Sequence, residues 1–512
     1  MAIKRRLLFL LLLTAATLIY VFAQETGVAT RDITGVWVLH IPNADGTVQD
    51  TFLKLSQNGA TITGSIVRNY HETKISEGSY RNGKLHLTVN PWRTIVLTYE
   101  GTLSDNHLKI TFSETGGREN PPSVTVSGER SSEAALSPPA PLPLPALHDV
   151  PDNGLARTPP MGWNSWNYFE GKVDDATVRS IADVMVSSGM AKAGYAHVNI
   201  DDTWEDGRDE AGNIRANRKF PDIAALAAYV HSKGLKIGIY SSPGPKTCGG
   251  YEGSYGHELQ DAKTYASWGI DYLKYDWCSA GAIYKDRDMR AAYQKMGEAL
   301  QSTGRPIVFS LCQYGREKVW TWGAKVGGNL WRTTDDIGDD WPSMSGIGFR
   351  QAEISSYMQP GHWNDPDMLE IGNGGMTDDE YRVHMSLWCL LAAPLLAGND
   401  LRKMSDATLA ILTNRDVIAV DQDPAARPPK RMVRNNETEV WSRPMQDGST
   451  VVALFNRGEK AKDVTVTWQE LGLIGHIQGR DLWKHERVGL SGPTYTTLVP
   501  KHGVVMLRIQ KG

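Results

Sequence analysis

The sequence lacks the common signatures of nucleotide, metal and nucleic-acid binding. It contains no GxGxxG and no GxxxxGKS/T motif, and its histidines and cysteines are not spaced as metal ligands. Basic residues number 54 and acidic residues 58, so the chain carries no basic excess of the kind that nucleic-acid-binding domains need. We therefore expect no cofactor, no metal ion and no nucleic-acid partner.

Long apolar runs are also scarce, and the one exception is N-terminal. Residues 1–23 combine Lys4, Arg5 and Arg6 with an apolar run and small residues before Gln24, the pattern of a secretory signal peptide. An uncleaved membrane anchor is the alternative, but the apolar stretch is short for a span. We expect an exported protein, secreted or periplasmic, with no stable membrane span after signal cleavage.

Cysteine is rare as well, with only four residues in an exported chain where disulfides can persist. Cys248 lies just after one predicted strand end and Cys278 just after the next, so we predict that they form a disulfide between adjacent loops. Cys312 and Cys389 lie inside apolar runs and are predicted to be buried thiols.

The first part of the chain, residues 24–130, is rich in short alternating strand patterns. Turn signals such as Asn58-Gly59 separate them, which predicts a small antiparallel all-β domain, either a barrel or a sandwich. Trp37, Tyr70 and Trp92 form either a carbohydrate platform or part of the core, and the core is the commoner role. Carbohydrate and the cell envelope are the candidate partners of this domain. The Pro-rich residues 131–151 predict an extended linker.

Residues 152–426 alternate strand-like runs with helical patterns, which predicts a (β/α)8 barrel. The eight runs are PPMGWNSWN, YAHVNIDDTW, LKIGIYSS, DYLKYDWC, PIVFSLCQYG, NLWRTTDDI, GHWNDPDML and LLAAPLLAGND. The predicted helices include 174–192, 222–233, 257–268, 284–302 and 377–390. Residues 427–512 return to strand patterns and predict a C-terminal antiparallel β domain, so the fold class is multidomain α/β.

Polar residues gather where the predicted barrel strands end. They are Asn164, Asp201, Asp202, Asp276, Gln313, Arg332, Asp335, Asp336, Asp365 and Asp367. The ends of parallel barrel strands meet at one face, where such enzymes build their active sites. Lys274 and Asp276 lie on the same face of their strand. They form either a structural ion pair or part of a catalytic site. Two carboxylates at a barrel mouth rich in tryptophan suggest glycoside hydrolysis.

The same runs carry a resemblance to a known family. PPMGWNSWN, NIDDTW, YLKYDWC, WRTTDDI, HWNDPDML and AAPLLAGNDL resemble, in order, the motifs of the glycoside hydrolase family 27 α-galactosidases of the melibiase clan. The resemblance covers about residues 155–512. It implies a catalytic barrel with a C-terminal β-sandwich and a retaining exo-α-galactosidase, which removes terminal α-D-galactosyl residues from oligosaccharides or glycoconjugates by double displacement.

The resemblance also implies roles for single residues. Asp276 would be the nucleophile and Asp336 the acid/base, with a raised pKa that keeps Asp336 protonated. Asp335 is not expected to be the acid, because neighbouring strand residues face opposite ways. The implied substrate-binding residues are Trp163, stacking on the sugar, with Asp201, Asp202, Lys274, Gln313 and Arg332. A helix N-cap for Asp201 or Asp202, and a salt bridge to Asp335 or Asp336 for Arg332, are structural alternatives.

One position departs from the pattern of many α-galactosidases, which have Cys-Glu-Trp where this chain has Cys312-Gln313-Tyr314. The change leaves the fine specificity open. An α-N-acetylgalactosaminidase or a β-L-arabinopyranosidase on the same fold is the enzymatic alternative. A non-catalytic carbohydrate-binding protein is the alternative from another class, but the presence of both carboxylates argues against it.

Overall fold

The structure is a computed structural model that describes residues 32–91, 95–104, 106–116, 122–473 and 477–511. The predicted signal peptide and Trp92 lie outside the described residues. The chain forms two compact units. Among the described residues, the first unit holds 32–42 and those within 48–137, and the second holds Asn43–Thr47 and those within 138–511.

The first unit is a closed antiparallel barrel of eight strands, which resolves the choice between barrel and sandwich. Each strand pairs with its neighbour in sequence, and β1 pairs with β8 to close the barrel. Trp37 is fully buried in its core, as expected from the commoner role of such aromatics. The strands are β1 (Gly35–Pro42), β2 (Val48–Asn58), β3 (Thr61–Arg68), β4 (His71–Arg81), β5 (Lys84–Val89), β6 (Val96–Ser104), β7 (His107–Thr115) and β8 (Val124–Ser131).

From Pro138 onward the Pro-rich segment forms no helix or strand and belongs to the second unit. The backbone N–H of Val150 donates to the Lys325 carbonyl oxygen at 2.8 Å, and the Gln294 amide donates to the Ala146 carbonyl oxygen at 2.9 Å. This part of the segment is therefore packed along the catalytic barrel.

The second unit contains eight parallel strands in the order β18-β9-β10-β13-β14-β15-β16-β17. A parallel bridge between Leu369, just after β17, and Ala397 of β18 closes the ring. Each predicted run contains one of these strands, so the predicted (β/α)8 barrel is confirmed. The strands are β9 (Met161–Asn164), β10 (His197–Asn199), a hairpin of β11 (Glu205–Arg208) and β12 (Ile214–Ala216), β13 (Lys236–Ser241), β14 (Tyr272–Asp276), β15 (Val308–Cys312), β16 (Leu330–Arg332), β17 (Trp363–Asp365) and β18 (Leu395–Ala397).

Several barrel helices begin directly after a polar N-cap residue that precedes a helical pattern of apolar residues. The Thr377 hydroxyl accepts from the backbone N–H of Glu380, and the Glu380 carboxylate accepts from the backbone N–H of Thr377. The two bonds form a capping box. The predicted helix 174–192 is two helices, because Gly189 between them has φ 87°. No helix among the described residues is long and apolar enough to cross a membrane. The helices are Trp166–Phe169, Asp175–Ser187, Met190–Ala193, Ile223–Ser232, Glu258–Trp268, Met289–Ser302, Trp341–Arg350, Asp378–Leu391, Asp406–Leu412 and Arg415–Asp421.

The C-terminal strands form an antiparallel β-sandwich. A six-stranded sheet in the order β19-β20-β21-β26-β23-β24 accompanies the pair β22-β25, and Val452, Val464 and Leu507 are buried in their common core. The strands are β19 (Lys430–Arg434), β20 (Thr438–Pro444), β21 (Thr450–Asn456), β22 (Lys462–Thr467), β23 (Ile477–Asp481), β24 (Glu486–Val488), β25 (Thr494–Val499) and β26 (Gly503–Lys511).

Candidate active site

The centre of the candidate site is Asp276, the last residue of β14. Its side chain is 5% exposed, and both carboxylate oxygens accept hydrogen bonds from tyrosines. The Tyr314 hydroxyl donates to Oδ1 at 2.7 Å, and the Tyr240 hydroxyl donates to Oδ2 at 3.1 Å. Burial raises the pKa of Asp276, while the Lys274 charge and the Tyr314 hydrogen bond oppose the rise. These partners favour the ionised form of this buried side chain.

Lys274 pairs with Asp201 across the barrel. Its Nζ lies 2.8 Å from Asp201 Oδ2, and the Asn164 amide donates to the same oxygen at 2.7 Å. Burial lowers the pKa of Lys274, but the Asp201 charge outweighs burial and holds that pKa well above its usual value. Lys274 therefore acts on Asp276 only through its charge, and its hydrogen bond goes to Asp201.

Asp202 lies next to the Lys274–Asp201 ion pair, and backbone N–H groups hold its carboxylate. Gly249 N–H donates to Oδ2 and Thr203 N–H to Oδ1, both at 2.6 Å. Burial raises the pKa of Asp202 to about 6, although hydrogen bonds from Thr247 and Gly249 oppose the rise. Both Asp201 and Asp202 are almost completely buried, and neither caps a helix in the described chain.

Arg332 joins two carboxylates on the other side of the mouth. Its Nη2 lies 2.9 Å from Asp336 Oδ1 and 2.9 Å from Asp367 Oδ2. The arginine is buried, whereas the Asp336 side chain is 73% exposed. Desolvation at the mouth raises the pKa of Asp336, but the charges of Arg332 and Lys274 outweigh it, so the pKa lies below its usual value. The expectation of a raised pKa for Asp336 is wrong for the free enzyme, because the guanidinium stabilises the anion.

The loops after β13 and β14 are joined by the disulfide Cys248–Cys278, as predicted. The Tyr240 hydroxyl lies 3.2 Å from Cys278 Sγ, so the bridge lies beside a donor to Asp276. Cys312 and Cys389 are free buried thiols, also as predicted.

Gln313 is fully buried at the end of β15, and its amide oxygen and nitrogen have no hydrogen-bond partner among the described residues. Leaving a buried amide unpaired costs free energy. A hydroxyl group that reached it would remove that cost.

Comparison with known proteins identifies the family. The family model described as alpha galactosidase A matches residues 158–423, and the model described as alpha galactosidase C-terminal beta sandwich domain matches residues 435–509. The chain belongs to the alpha galactosidase A family. It is a glycoside hydrolase with α-galactosidase activity.

Individual relatives and solved structures match 69–71% of this chain. The α-galactosidase of Cyamopsis tetragonoloba is 48% identical over 362 residues, which cover 69% of this chain and 87% of the relative. α-Galactosidase I from Mortierella vinacea is similar with a TM-score of 0.68 and 38% identity, covering 71% of this chain and 99% of that one. The α-galactosidase from Saccharomyces cerevisiae, solved with raffinose, has a TM-score of 0.66 and 28% identity, covering 71% of this chain and 100% of that one.

The expectation that Trp163 stacks on the sugar is wrong. Trp163 is 0% exposed, its indole N–H donates to the Asn399 carbonyl oxygen at 2.9 Å, and Phe169 packs edge-on against it. A carboxylate can contact a sugar through one exposed oxygen, but stacking needs an open ring face. Trp166, at the start of the helix that follows β9, is partly exposed and takes the place of Trp163 as the candidate for stacking.

Sequence reasoning missed both tyrosines on Asp276. Tyr240 lies near the end of the predicted strand LKIGIYSS, but its phenol is neither a charged group nor an amide of the kind that marks the other strand ends. Tyr314 directly follows Gln313, and its direction depends on an unusual backbone conformation with φ 62°. Period-two alternation could have placed Tyr240 near the mouth, but no sequence signal indicates the conformation of Tyr314.

Within the described part of the chain, one group of side chains has the proximity of metal ligands. Atoms of Cys248, Asp276 and Cys278 lie within 4.8 Å of one another. The two sulfurs are joined in the disulfide and cannot act as thiolate ligands.

Proposed function

We propose that this α-galactosidase releases terminal α-galactosyl residues by double displacement, with Asp276 as nucleophile and Asp336 as acid/base. Asp276 attacks the anomeric carbon while Asp336 protonates the departing oxygen, and water, deprotonated by Asp336, then releases galactose with retained configuration. The observation that carries the proposal is a buried carboxylate at a strand end, with a cation nearby and an exposed carboxylate facing the same mouth.

The surroundings of Asp276 suit a nucleophile. Lys274 and Arg332 lower its pKa by their charges, and Tyr314 lowers it by a hydrogen bond. Each contribution favours the ionised form that attack requires. The Asp336 charge acts in the opposite direction and raises the pKa of Asp276.

Asp336 must gain a proton before it can act as an acid. In the free enzyme Arg332 keeps it ionised. A substrate that fills the mouth removes water from this exposed side chain, and desolvation disfavours the anion. We propose that substrate binding itself raises the pKa of Asp336, so that the acid forms in the complex.

Galactose recognition is assigned to the buried charges around the nucleophile. Asp201 and Asp202 would accept from the 4- and 6-hydroxyls, and Lys274 and Arg332 would donate to ring hydroxyls. Gln313 would bind near the 2-hydroxyl with its unpartnered amide. Because these groups are fixed and buried, an epimer with a misplaced hydroxyl would leave one of them unpaired.

We propose that the natural substrates are galactoside oligosaccharides or glycoconjugates and that the protein is exported. Export is supported by the basic and apolar pattern of residues 1–23. The N-terminal barrel is proposed to contact carbohydrate or the cell envelope.

The mechanism is tested by the stereochemistry of products. Proton NMR should detect α-galactose as the first product, and β-galactose first would contradict double displacement. In azide, Asp276→Ala should form β-galactosyl azide after one inversion. Asp336→Ala should form α-galactosyl azide after two inversions, on substrates whose leaving groups need no proton. The same azide anomer from both variants would refute the assignment.

Specificity is tested by a substrate panel. We expect nitrophenyl α-galactoside to be cleaved faster than the α-N-acetylgalactosaminide and the β-L-arabinopyranoside, because Asp202 and Gln313 are suited to the 6-hydroxyl and the free 2-hydroxyl. A preference for either alternative substrate would overturn the substrate assignment.

A further inference from the structure

The loop after β15 has an unusual backbone. Tyr314 has φ 62°, Gly315 76°, Glu317 53° and Lys318 52°. Left-handed conformations are uncommon for residues other than glycine, and clusters of them cost free energy that surrounding contacts must offset. Such a cluster at the end of a barrel strand points to a side chain that must be held in a particular place.

Contacts with the next strand maintain this loop. Gly315 N–H donates to the Arg332 carbonyl oxygen at 3.1 Å. A Cβ at position 315 would lie 2.2 Å from the Thr333 carbonyl oxygen, so a side chain does not fit there. The Arg332 guanidinium lies 5.8 Å from the centre of the Tyr314 ring. The loop is therefore locked against β16, with the phenol directed at Asp276.

The result is a carboxylate with one phenol on each oxygen, Tyr314 on Oδ1 and Tyr240 on Oδ2. Several other titratable or charged groups act on Asp276 or on its tyrosine partners. They are Lys274 of the same strand, Cys312 of β15, Arg332 of β16, Asp336 after it, Asp201 and Asp202 after β10, and Tyr293 of the helix Met289–Ser302.

We propose that Tyr314 is a positioning residue for Asp276, fixing the plane of the carboxylate and stabilising its anionic form. The inference rests on the proposed role of Asp276 as nucleophile and adds a residue that acts through it. Tyr314 is suited to this role because its hydroxyl reaches the carboxylate at 2.7 Å while its backbone is held by β16.

The hydrogen bond matters most when the carboxylate leaves. In the second step, water oxygen bonds to the anomeric carbon and gives a proton to Asp336. The electron pair of the bond between that carbon and Asp276 then returns to the carboxylate. A phenol already directed at the carboxylate stabilises the returning negative charge without reorganisation.

The test is Tyr314→Phe, which keeps the ring and removes the hydroxyl. On a substrate with a good leaving group, kcat should fall about 10- to 100-fold and KM should fall with it, because the galactosyl-enzyme accumulates. Intact-mass measurement should detect that intermediate. In the wild type the Tyr314 hydrogen bond lowers the pKa of Asp276, so its loss should raise that pKa. The acid limb of the kcat/KM profile should therefore move to higher pH by roughly half to one unit.

Tyr293→Phe is the matched control, because Tyr293 is a fully buried phenol whose hydroxyl donates to the Cys312 backbone carbonyl. Its acid limb should stay in place. If Tyr314→Phe showed the wild-type acid limb and kcat while Asp276→Ala was inactive, the inference about Tyr314 would be overturned and the nucleophile assignment would stand. Full activity of Asp276→Ala would instead refute the proposed function.

A second variant tests the same bond in the opposite direction if Tyr314→Phe does not fold. Tyr314→3-fluorotyrosine keeps the ring and the hydroxyl but makes the phenol a stronger acid and a stronger donor. The acid limb should then move to lower pH. An unchanged or raised limb in a folded protein would contradict the proposal.

Discussion

At the scale of single residues, the site consists of buried charges that have partners. Lys274 bonds to Asp201, and Arg332 bonds to Asp367 and Asp336. Removing one member of a buried pair leaves the other uncompensated, which is far more costly than losing a surface pair. Asp336 is the exception because it is exposed, so its charge can change when substrate binds.

Galactose binding is predicted to weaken at low pH. The pKa of Asp202 is about 6, so Asp202 is a carboxylate above this pH and becomes a neutral acid as the pH falls through it. The neutral form is a poorer acceptor for sugar hydroxyls, so the Kd of galactose should rise up to about tenfold between pH 7 and pH 5. Calorimetric titration would measure this, and Asp202→Asn should bind weakly with a flatter dependence. An equal pH dependence in Asp202→Asn would assign the effect to another group.

The two tryptophans of the first barrel segment should respond differently to truncation. Trp163→Ala removes a fully buried ring and should lower the free energy of unfolding by about 3–5 kcal/mol. Trp166→Ala removes a partly exposed ring at the mouth, so Tm should change little while KM for galactosides rises. Denaturant unfolding and steady-state kinetics on both variants would check this. A normal KM in Trp166→Ala would exclude a stacking role.

At the scale of elements, the loops after β13 and β14 behave as one unit because the disulfide joins them. Cys248 is next to Gly249, whose N–H holds Asp202, and Cys278 lies beside the Tyr240 hydroxyl. The bridge therefore connects the surroundings of Asp202 with those of Asp276.

Replacing both bridge cysteines with serine should reduce stability and substrate affinity together. The bridge spans 30 residues, and closing a loop of that length stabilises a fold by about 3–4 kcal/mol. Urea unfolding should show this loss, and KM should rise as Gly249 loses its fixed position. Cys389→Ala is the control, since it removes a buried thiol of the helix Asp378–Leu391. Unchanged KM in the double variant would separate the bridge from substrate binding.

At the scale of the whole molecule, each of the two units has a core of its own. Leu39, Leu53 and Leu87 are fully buried within the N-terminal barrel. Closure between β1 and β8 leaves no unpaired sheet edge at that position.

The isolated fragment 32–137 is predicted to fold. Its closed barrel satisfies the strand hydrogen bonds within the fragment, so it should unfold cooperatively by circular dichroism and give dispersed amide NMR signals. A fragment that is soluble but unfolded would mean that this barrel depends on the rest of the chain.

The sequence by itself determined the barrel strands and the family, and it named the two candidate carboxylates, because strand alternation and motif order are local properties of the chain. Tertiary structure decided which groups meet. Lys274 bonds to Asp201, 73 residues away, rather than to its strand neighbour Asp276, because closing the barrel brings distant strand ends together. Whether Trp163 or Trp166 faces the mouth depends on where β9 ends and the next helix begins.

The protonation of Asp336 and the direction of Tyr314 also came only from the three-dimensional arrangement. The Arg332 guanidinium, 2.9 Å away, reverses the pKa shift expected for Asp336. The left-handed backbone of Tyr314 directs its hydroxyl to Asp276. The protonation of Asp336 and the direction of Tyr314 depend on distances between residues of different strands. These distances cannot be calculated from the spacing of residues along the sequence.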